Sequence, residues 1–512
     1  MSGQSTPNLY NDSSLLLRTR KSDRDLVDYD VKEDKKPAYE VIEMGEVAKW
    51  NPNAKQNKRK WTLLQHKPYL TLALCMLIFL GFIVNTRFQR KIPNRHQLFF
   101  NGTTYFDTTV ILLSLDGFRN DYLDRKVTPN IENIGRYYIQ YHTYILICTL
   151  IGKRGISAEY MNPSFPSITF PNHWTLVTGL YPEAHGIVAN EFYDPALGQD
   201  FIHKNESISS DPKWWKGEPI WITSKKQGKK SAVIMWPGSN VKIDSLSPDY
   251  YQPYSREITA QDKMDTVLNW LDLPMDERPQ SISVYIPQID QKGHGGGPNG
   301  GQLNSVLTDM DNAIGYLLKG LKQRNLDSHV HVVVVSDHGM APSDPSRYIF
   351  YDKILSDESQ SYLRPREAWP LLGLRPRDDA PEHIIDQIYH ELQTYTETHD
   401  DVHFTFYRRE EMPSRFHYNA TERIAPIVII PDVGYAIIRS TDKKAPKGIH
   451  GYDNMAPEMR AIFAATGPKI SQHYGKGTRL VPFFNTEVYA FLTTLLDLVP
   501  APNNATLNGI LK

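Results

Sequence analysis

The chain has 512 residues, with 57 Lys and Arg against 58 Asp and Glu, and its formal net charge at pH 7 is −1. This balance excludes a protein built around a concentrated basic face, so we expect no stable nucleic-acid partner. The 2 cysteines, Cys75 and Cys148, exclude an intramolecular disulfide framework in the folded part. The length allows roughly two to four domains, or one large α/β domain with additions.

The N-terminal part contains a polar tail and one apolar run. Residues 1–67 have a composition that cannot bury a core, and we predict a disordered cytoplasmic tail. The uncharged run Tyr69–Val84 shows no polar face and lies too far from the N-terminus for a cleaved signal peptide. It therefore predicts a single transmembrane signal anchor at 68–86, followed by a linker at 87–107.

Glycosylation sequons favour one orientation of this anchor. One sequon, at Asn11, precedes the apolar run, and the others follow it at Asn101, Asn205, Asn419 and Asn504. We therefore expect a single-pass type II membrane protein. Its catalytic domain, predicted at 108–512, would lie outside the cell or in the secretory or vacuolar lumen.

From residue 108 onward, apolar runs alternate with helical patterns. Runs without polar alternation predict buried strands at 110–115, 231–236, 282–287 and 330–336. Helical periodicity predicts helices at 258–271, 303–322, 382–395 and 487–498. This order predicts an α/β fold, with a mostly parallel central sheet and helices on both faces.

The segment Asn162–Trp174 contains a threonine, Thr169, between Pro166 and Pro171. Proline fixes its own φ and keeps the preceding residue out of the helical region, so the segment predicts a rigid loop. A helical turn is predicted after it, and unpaired backbone N–H groups at the start of a helix attract phosphate. Thr169 is thus either a nucleophile or an ordinary capping threonine.

Acidic residues and histidines follow three of the predicted strands. Asp116 ends the first run, Asp290 and His294 follow the third, and the pair Asp337–His338 follows the fourth. His450 lies in a later loop. The carboxyl ends of parallel strands meet at one edge of a sheet, so these side chains are expected to lie together. A mixture of imidazole and carboxylate ligands suits zinc.

The order of these motifs resembles a known family. The chain carries Asp-Gly-Phe-Arg, Phe-Pro-x-x-Thr-Phe-Pro-Asn-His, Thr-Gly-Leu-Tyr-Pro-Glu-x-His-Gly-Ile, Asp-x-x-x-His, Ser-Asp-His-Gly-Met and His-Gly-Tyr-Asp-Asn. Together they resemble the nucleotide pyrophosphatase/phosphodiesterase family of the alkaline phosphatase superfamily. The resemblance covers the chain from about residue 108 onward and implies an alkaline-phosphatase-like fold.

The resemblance implies a role for each site residue. It implies two zinc ions, one held by Asp116, Thr169, Asp337 and His338, and the other held by Asp290, His294 and His450. It implies that Asn190 contacts a phosphoryl oxygen. It implies a nucleobase sandwiched between Phe170 and Tyr254, in a pocket also lined by Lys216 and Trp236.

A mechanism follows from these assignments. Zinc coordination would favour the alkoxide of Thr169, which would attack phosphorus in line and form a covalent phosphothreonine ester. The second zinc would stabilise the leaving oxygen and then activate water. Substrates are expected to be nucleotides and their derivatives. Two alternatives stay open, namely a lipid or choline phosphodiesterase of the same superfamily and an inactive binding ectodomain.

Residues 137–154 depart from the family pattern. They are apolar, aromatic and β-branched, a composition that aggregates when exposed, and they are too short to span a membrane comfortably. The family pattern passes almost directly from residue 136 to residue 155. We interpret the stretch as untranslated sequence read through in a gene model, with a genuine lid or membrane-contact segment as the alternative.

Overall fold

An eight-stranded mixed sheet organises the residues that the computed structural model describes, which are 98–135, 155–442, 444–475 and 477–511. Its strands in chain order are β1 Thr109–Leu115, β2 Gly155–Ala158, β3 Ser231–Ile234, β4 Tyr250–Gln252, β5 Ser281–Ile286, β6 Val330–Val335, β7 Phe463–Thr466 and β8 Thr478–Leu480. Their order across the sheet is β8-β2-β7-β6-β1-β5-β3-β4. Strand β7 is antiparallel to both of its neighbours and all other pairs are parallel, so the predicted mostly parallel sheet is confirmed.

Helices cover both faces of this sheet, as predicted. The α-helices of the described residues are α1 Pro129–Gly135, α2 Thr169–Thr178, α3 Pro182–His185, α4 Glu206–Ser209, α5 Ile220–Lys226, α6 Ala260–Leu271, α7 Gln288–Gly296, α8 Gln302–Gln323, α9 Asp357–Ser361, α10 Ile384–Thr398, α11 Pro468–Tyr474 and α12 Glu487–Leu495. Helix α8 contacts α1, α6 and α7, whereas α12 contacts α2 and α5. The two groups of helices shield the sheet from water.

The central strands form because most of their side chains are apolar on both faces, and their few polar residues, such as Ser114 and His331, are buried with them. Every residue of β1, β3, β5 and β6 is buried, which is the pattern of parallel strands covered on both sides. Helix α6 starts with a capping box, in which Thr259 and Asp262 satisfy each other's backbone N–H groups. The four predicted strands and four predicted helices are all present, with ends shifted by a few residues.

A smaller three-stranded antiparallel sheet forms a second core. Its strands are Leu372–Leu374, Phe404–Arg408 and Ile427–Pro431, and side chains of α10 pack into the same apolar cluster. The remaining short strands are Phe99–Phe100, Tyr105–Phe106, Met161–Asn162, Glu191–Asp194, Gln199–Ile202, Ala341–Pro342, Tyr348–Phe350, Ala436–Ile438, Gly448–Ile449 and Phe483–Phe484. The 3₁₀ helices are Asn120–Arg125, Pro212–Trp214, Pro345–Arg347, Tyr351–Lys353, Arg409–Glu411, Ser414–Phe416 and Pro457–Met459.

The structure corrects two boundaries. The predicted loop ends at Ile168, because α2 begins at Thr169 and includes Pro171 in its first turn. A proline is tolerated there because the first backbone N–H groups of a helix have no partner within the helix. The linker predicted at 87–107 is also too long at its C-terminal end. Phe106 is 4% exposed in the main core, and the carbonyl oxygen of Tyr105 accepts a hydrogen bond from Arg278, so residues 98–107 belong to the domain.

The predicted tail at 1–67, the anchor at 68–86 and the stretch at 137–154 lie outside the described residues. Among the residues that are described, no helix combines the length and the apolar character needed to cross a membrane.

Candidate active site

The predicted metal donors meet at the carboxyl edge of the three central strands. Asp116 follows β1, Asp290 lies in the first turn of α7 after β5, and Asp337 and His338 follow β6. These strands are adjacent and parallel, so their C-terminal ends lie side by side. His450 follows the short strand Gly448–Ile449, which reaches the same edge because it neighbours α7. The sheet topology therefore assembles the site.

One group of donors consists of Asp290, His294 and His450. Nε2 of His294 lies 3.3 Å from Oδ2 of Asp290 and 3.3 Å from Nε2 of His450. Nε2 of His450 lies 3.4 Å from Oδ1 of Asp290. A set of ligand atoms from these side chains, one atom each, lies within 4.8 Å of one another, which is close enough to surround one metal ion.

The second group lies on the other side of Asp290. Ligand atoms of Asp116, Asp290 and His338 also lie within 4.8 Å of one another, so Asp290 is common to both groups. Nε2 of His338 is 3.5 Å from Oδ1 of Asp116 and 3.0 Å from Oδ2 of Asp337. Oγ1 of Thr169 lies 3.2 Å from the same Nε2. The structure thus brings together all seven side chains that the resemblance assigns to metal binding.

The histidines present lone pairs to the cluster. Nδ1 of His294, His338 and His450 lies 2.8, 2.8 and 2.9 Å from the backbone carbonyl oxygens of Gly448, Gly339 and Ser167, respectively. A carbonyl oxygen only accepts, so each Nδ1 carries the proton in the neutral ring and each Nε2 is free to bind a cation.

The carboxylates also fit a cation. Three of their oxygens are buried without a hydrogen bond among the described residues: Oδ1 of Asp116, Oδ1 of Asp290 and Oδ2 of Asp337. A buried carboxylate oxygen without a partner is costly, and a metal ion would remove that cost. Nitrogen and oxygen donors in this mixture fit zinc.

The buried carboxylates and histidines of the cluster have shifted pKa values in the cation-free protein. Burial raises the pKa of Asp116 well above its usual range, and the charges of Asp337 and Asp290 raise it further. For Asp337, burial alone would raise the pKa, but His338 and His173 outweigh burial and hold it well below the usual range. Burial lowers the pKa of His338, and Asp337 raises it by more. Asp116 and His338 therefore keep a proton to higher pH in the cation-free protein.

Thr169 is the first residue of α2 and lies beside Asn190. Ile168 before it is extended, so Thr169 is the first helical residue. The N–H of Phe170 donates to Oδ1 of Asn190 at 3.0 Å, which fixes the Asn190 amide beside the nucleophile candidate. Because Oδ1 is occupied in this way, the NH₂ group of Asn190 remains as a donor for another acceptor.

Two buried side chains that the sequence did not single out support the donors. The hydroxyl of Tyr285, in β5, donates to Oδ2 of Asp116. His173, one turn after Thr169 in α2, has Nδ1 2.9 Å from the carbonyl oxygen of Thr169 and 3.2 Å from Oδ2 of Asp337. His173 thus links the start of α2 to a metal-ligand candidate. His173 is the last residue of the motif Phe-Pro-x-x-Thr-Phe-Pro-Asn-His, and Tyr285 is part of a predicted strand, but neither position indicated this role.

The predicted base pocket is partly built. The ring of Phe170 packs edge-on against His203, with centroids 5.0 Å apart. Tyr254 is half exposed, and its hydroxyl oxygen accepts a hydrogen bond from Gln291 at 3.2 Å. The side chain of Lys216 is exposed.

Trp236, predicted to line this pocket, is 2% exposed. Its indole N–H donates to the carbonyl oxygen of His173 at 3.0 Å, so Trp236 contacts the backbone of α2.

The predicted glycosylation sites differ in accessibility. The side chains of Asn205, Asn419 and Asn504 are exposed. Asn101 is half-buried, and its Nδ2 donates to the carbonyl oxygen of Arg324 at 2.9 Å. A glycan attaches at Nδ2, so Asn101 would have to give up this hydrogen bond to be modified.

Comparison with known proteins identifies the family of the chain. The family model for type I phosphodiesterase / nucleotide pyrophosphatase matches residues 110–453. The chain is 42% identical over 470 residues to an uncharacterized pyrophosphatase/phosphodiesterase of Schizosaccharomyces pombe, covering 89% of this chain and 92% of that protein. It is 35% identical over 411 residues to human ectonucleotide pyrophosphatase/phosphodiesterase family member 1, covering 78% of this chain but only 42% of the human protein.

A solved structure has the same fold. Murine ectonucleotide pyrophosphatase/phosphodiesterase 5 superposes with a TM-score of 0.68 at 32% identity, covering 79% of this chain and 100% of the murine chain. That structure is of a threonine-to-alanine variant described as inactive, in complex with AMP. From the family model and these relatives, we conclude that the chain belongs to the type I phosphodiesterase / nucleotide pyrophosphatase family.

Proposed function

We propose that this protein hydrolyses pyrophosphate and phosphodiester bonds of nucleotides, with Thr169 as the nucleophile and two zinc ions as cofactors. The observation that carries the proposal is the position of Oγ1 of Thr169, 3.2 Å from Nε2 of His338 at the edge of the donor cluster. The names of the related proteins and the AMP bound by the murine relative support the same substrate class.

The donors divide into two cation sites. Asp290, His294 and His450 would hold one zinc ion, and Asp116, Asp337 and His338 would hold the other together with Thr169. Positive charge at these sites would favour the deprotonated threonine hydroxyl and stabilise charge on the leaving oxygen.

Side chains of the protein carry out the bond-forming step and hold the substrate. Oγ1 of Thr169 attacks phosphorus, so that an Oγ–P bond forms and the bond to the leaving oxygen breaks. Water then cleaves the phosphothreonine ester and restores the hydroxyl. The NH₂ group of Asn190 donates to a phosphoryl oxygen, since Oδ1 of Asn190 is held by the N–H of Phe170. Phe170 offers one aromatic face to the nucleobase, and Tyr254 offers the other.

The test is hydrolysis of the 4-nitrophenyl ester of thymidine 5′-monophosphate by the full-length protein. We expect activity that disappears with a chelator, returns with zinc, and falls at least about a thousandfold in Thr169→Ala. Thr178→Ala is the control, because Thr178 lies in the same helix and its hydroxyl donates to the carbonyl oxygen of Trp174. Its activity is expected to stay within about threefold of wild type.

Other outcomes point to other functions. Zinc-dependent hydrolysis of 4-nitrophenylphosphorylcholine without hydrolysis of the thymidine ester would replace the nucleotide substrate with a choline phosphodiester. Zinc binding without turnover of either ester would contradict an enzymatic role. Full activity in Thr169→Ala would refute the nucleophile.

A further inference from the structure

Side chains hold three consecutive backbone carbonyl groups directly before Thr169. Nδ2 of Asn172 donates to the carbonyl oxygens of Pro166 and Ile168, both at 2.9 Å. The carbonyl oxygen between them lies 2.9 Å from Nδ1 of His450. The carbonyl of Ile168 belongs to the peptide group that joins it to Thr169. Asn172 therefore fixes the backbone from which the side chain of Thr169 projects.

Asn172 is in turn oriented by two other buried residues. Its Oδ1 accepts the backbone N–H of Ser164 and Nδ2 of Asn485, both at 2.8 Å. The hydroxyl of Ser164 donates to Oδ1 of Asn485, also at 2.8 Å. None of the three residues is more than 1% exposed. A side-chain amide can donate two hydrogen bonds and accept two, and Asn172 makes all four, so its partners fix its orientation.

Asn485 reaches this network from the C-terminal part of the chain. The hydrogen bond between the two amides joins residues that are 313 positions apart in the sequence. Asn485 follows the short strand Phe483–Phe484, which pairs with Met161–Asn162, and its N–H donates to the carbonyl oxygen of Asn162 at 2.9 Å. The backbone and the side chain of Asn485 thus both hold the segment that leads to Thr169.

None of the hydrogen bonds that the structure shows for Asn485 goes to a metal-donor candidate. Its partners in the described part of the chain are Asn162, Ser164, Asn172 and Val488. The loop before Thr169 has other supports, since Nδ2 of Asn454 donates to the carbonyl oxygen of Pro163 at 2.9 Å. Loss of the Asn485 side chain should therefore shift this loop without unfolding it.

We propose that Asn485 is a positioning residue for Thr169. Through Asn172 it holds the loop 164–168, so that Oγ1 of Thr169 keeps the position needed for attack on phosphorus. The inference rests on the proposed function, because it needs Thr169 to be the nucleophile. A reacting group that is misplaced by about 1 Å can lose about 100-fold in rate, so a support remote from the substrate can control kcat.

The experiment measures hydrolysis of the 4-nitrophenyl ester of thymidine 5′-monophosphate by full-length protein at saturating zinc and well below Tm. In Asn485→Ala, Oδ1 of Asn172 loses one donor and the hydroxyl of Ser164 loses its acceptor. We expect kcat to fall about 10- to 100-fold and KM to change by less than about threefold. A residue that only stabilises the fold would lower Tm and leave kcat of the folded protein unchanged.

Thr223→Val is the matched control for the loss of buried hydrogen bonds. Thr223 is 0% exposed, and its hydroxyl oxygen lies 2.8 Å from both Oε1 of Glu218 and the hydroxyl oxygen of Tyr489. Because these bonds lie in α5, away from the loop before Thr169, kcat should stay within about twofold of wild type even where Tm falls.

Asn485→Asp tests the same contact by protonation and decides the matter if Asn485→Ala does not fold. A protonated carboxyl can donate to Oδ1 of Asn172 and accept from Ser164, as the amide does, whereas a carboxylate only accepts and repels Oδ1. Burial favours the protonated form of a carboxyl. The ratio of variant to wild-type kcat should therefore fall at least about fivefold between about pH 6 and about pH 9.

Three results would overturn the assignment and leave the proposed function intact. They are a kcat in Asn485→Ala as high as in Thr223→Val, a loss in Asn485→Ala that lies only in KM, and a kcat ratio for Asn485→Asp that does not change with pH. A wild-type protein that does not hydrolyse the ester would overturn the proposed function and this inference together.

Discussion

Tyr285→Phe is the sharpest test of how the protein supports its donors. The substitution removes one hydroxyl that donates to Oδ2 of Asp116, while Oδ1 of Asp116 already accepts no hydrogen bond from the described residues. A hydrogen bond to a charged group contributes about 1.5–3 kcal/mol, which corresponds to about 10- to 100-fold in an equilibrium constant. Outer partners of metal ligands have effects of the same size on metal affinity.

The assay is hydrolysis of the thymidine ester at a series of buffered free zinc concentrations. The zinc concentration for half-maximal activity should rise about 10- to 100-fold in Tyr285→Phe, and kcat at saturating zinc should recover most of its wild-type value. Tyr452→Phe is the control, because the buried hydroxyl of Tyr452 donates to the carbonyl oxygen of Tyr435 at 2.8 Å and touches no donor. An unchanged zinc dependence in Tyr285→Phe would refute the reasoning.

Two further predictions concern the pH dependence of stabilisation by zinc and the role of residues 137–154. The raised pKa of Asp116 means that folding of the cation-free protein takes up a proton, so its free energy of unfolding falls as pH rises above the usual carboxyl range. Zinc displaces that proton, and the rise in Tm at fixed free zinc should be larger at about pH 8 than at about pH 6; an equal rise at both pH values would contradict this. Deletion of 137–154 should leave Tm unchanged and zinc-dependent hydrolysis within about twofold of wild type. The residues that flank the stretch are already in contact, because a Cβ on Gly155 would lie 2.4 Å from the carbonyl oxygen of Ile134. An aggregated or inactive deletion variant, or a transcript that encodes the whole stretch, would argue for a genuine segment.

The sequence predicts the centre of the fold well because its central strands are mostly apolar, without polar alternation. Strands β1 and β6 are mostly apolar, and their few polar residues, Thr109, Ser114 and His331, do not alternate with the apolar ones, so burial on both faces is the expected outcome. Strand β7 has the sequence Phe-Ala-Ala-Thr, and β8 has three residues. Segments this short become strands because neighbouring strands pair with them, and that information lies elsewhere in the chain.

The metal-donor candidates could be predicted from the sequence because of where they lie relative to the strands. Asp116, Asp290 and the Asp337–His338 pair each follow a long apolar run, and the rule that parallel strands end at one edge places them together without coordinates. The rule does not show which of these side chains would bind the same metal ion. Only the structure shows that Asp290 is near both histidine groups and that Oδ1 of Asp337 accepts the N–H of Gly117 at 3.1 Å.

The supporting residue Tyr285 escapes sequence reasoning because nothing in its own segment marks it. Tyr285 is one aromatic residue in a buried strand, and a buried tyrosine usually reads as core. Its hydroxyl needs a partner wherever it is buried, and in this fold the partner is a carboxylate on the adjacent strand's end. Trp236, an aromatic residue expected in a pocket, also donates to the backbone of α2, a contact that the sequence does not show. The distinction between a pocket wall and a support depends on which way a side chain points, and that direction is set by packing across the sheet.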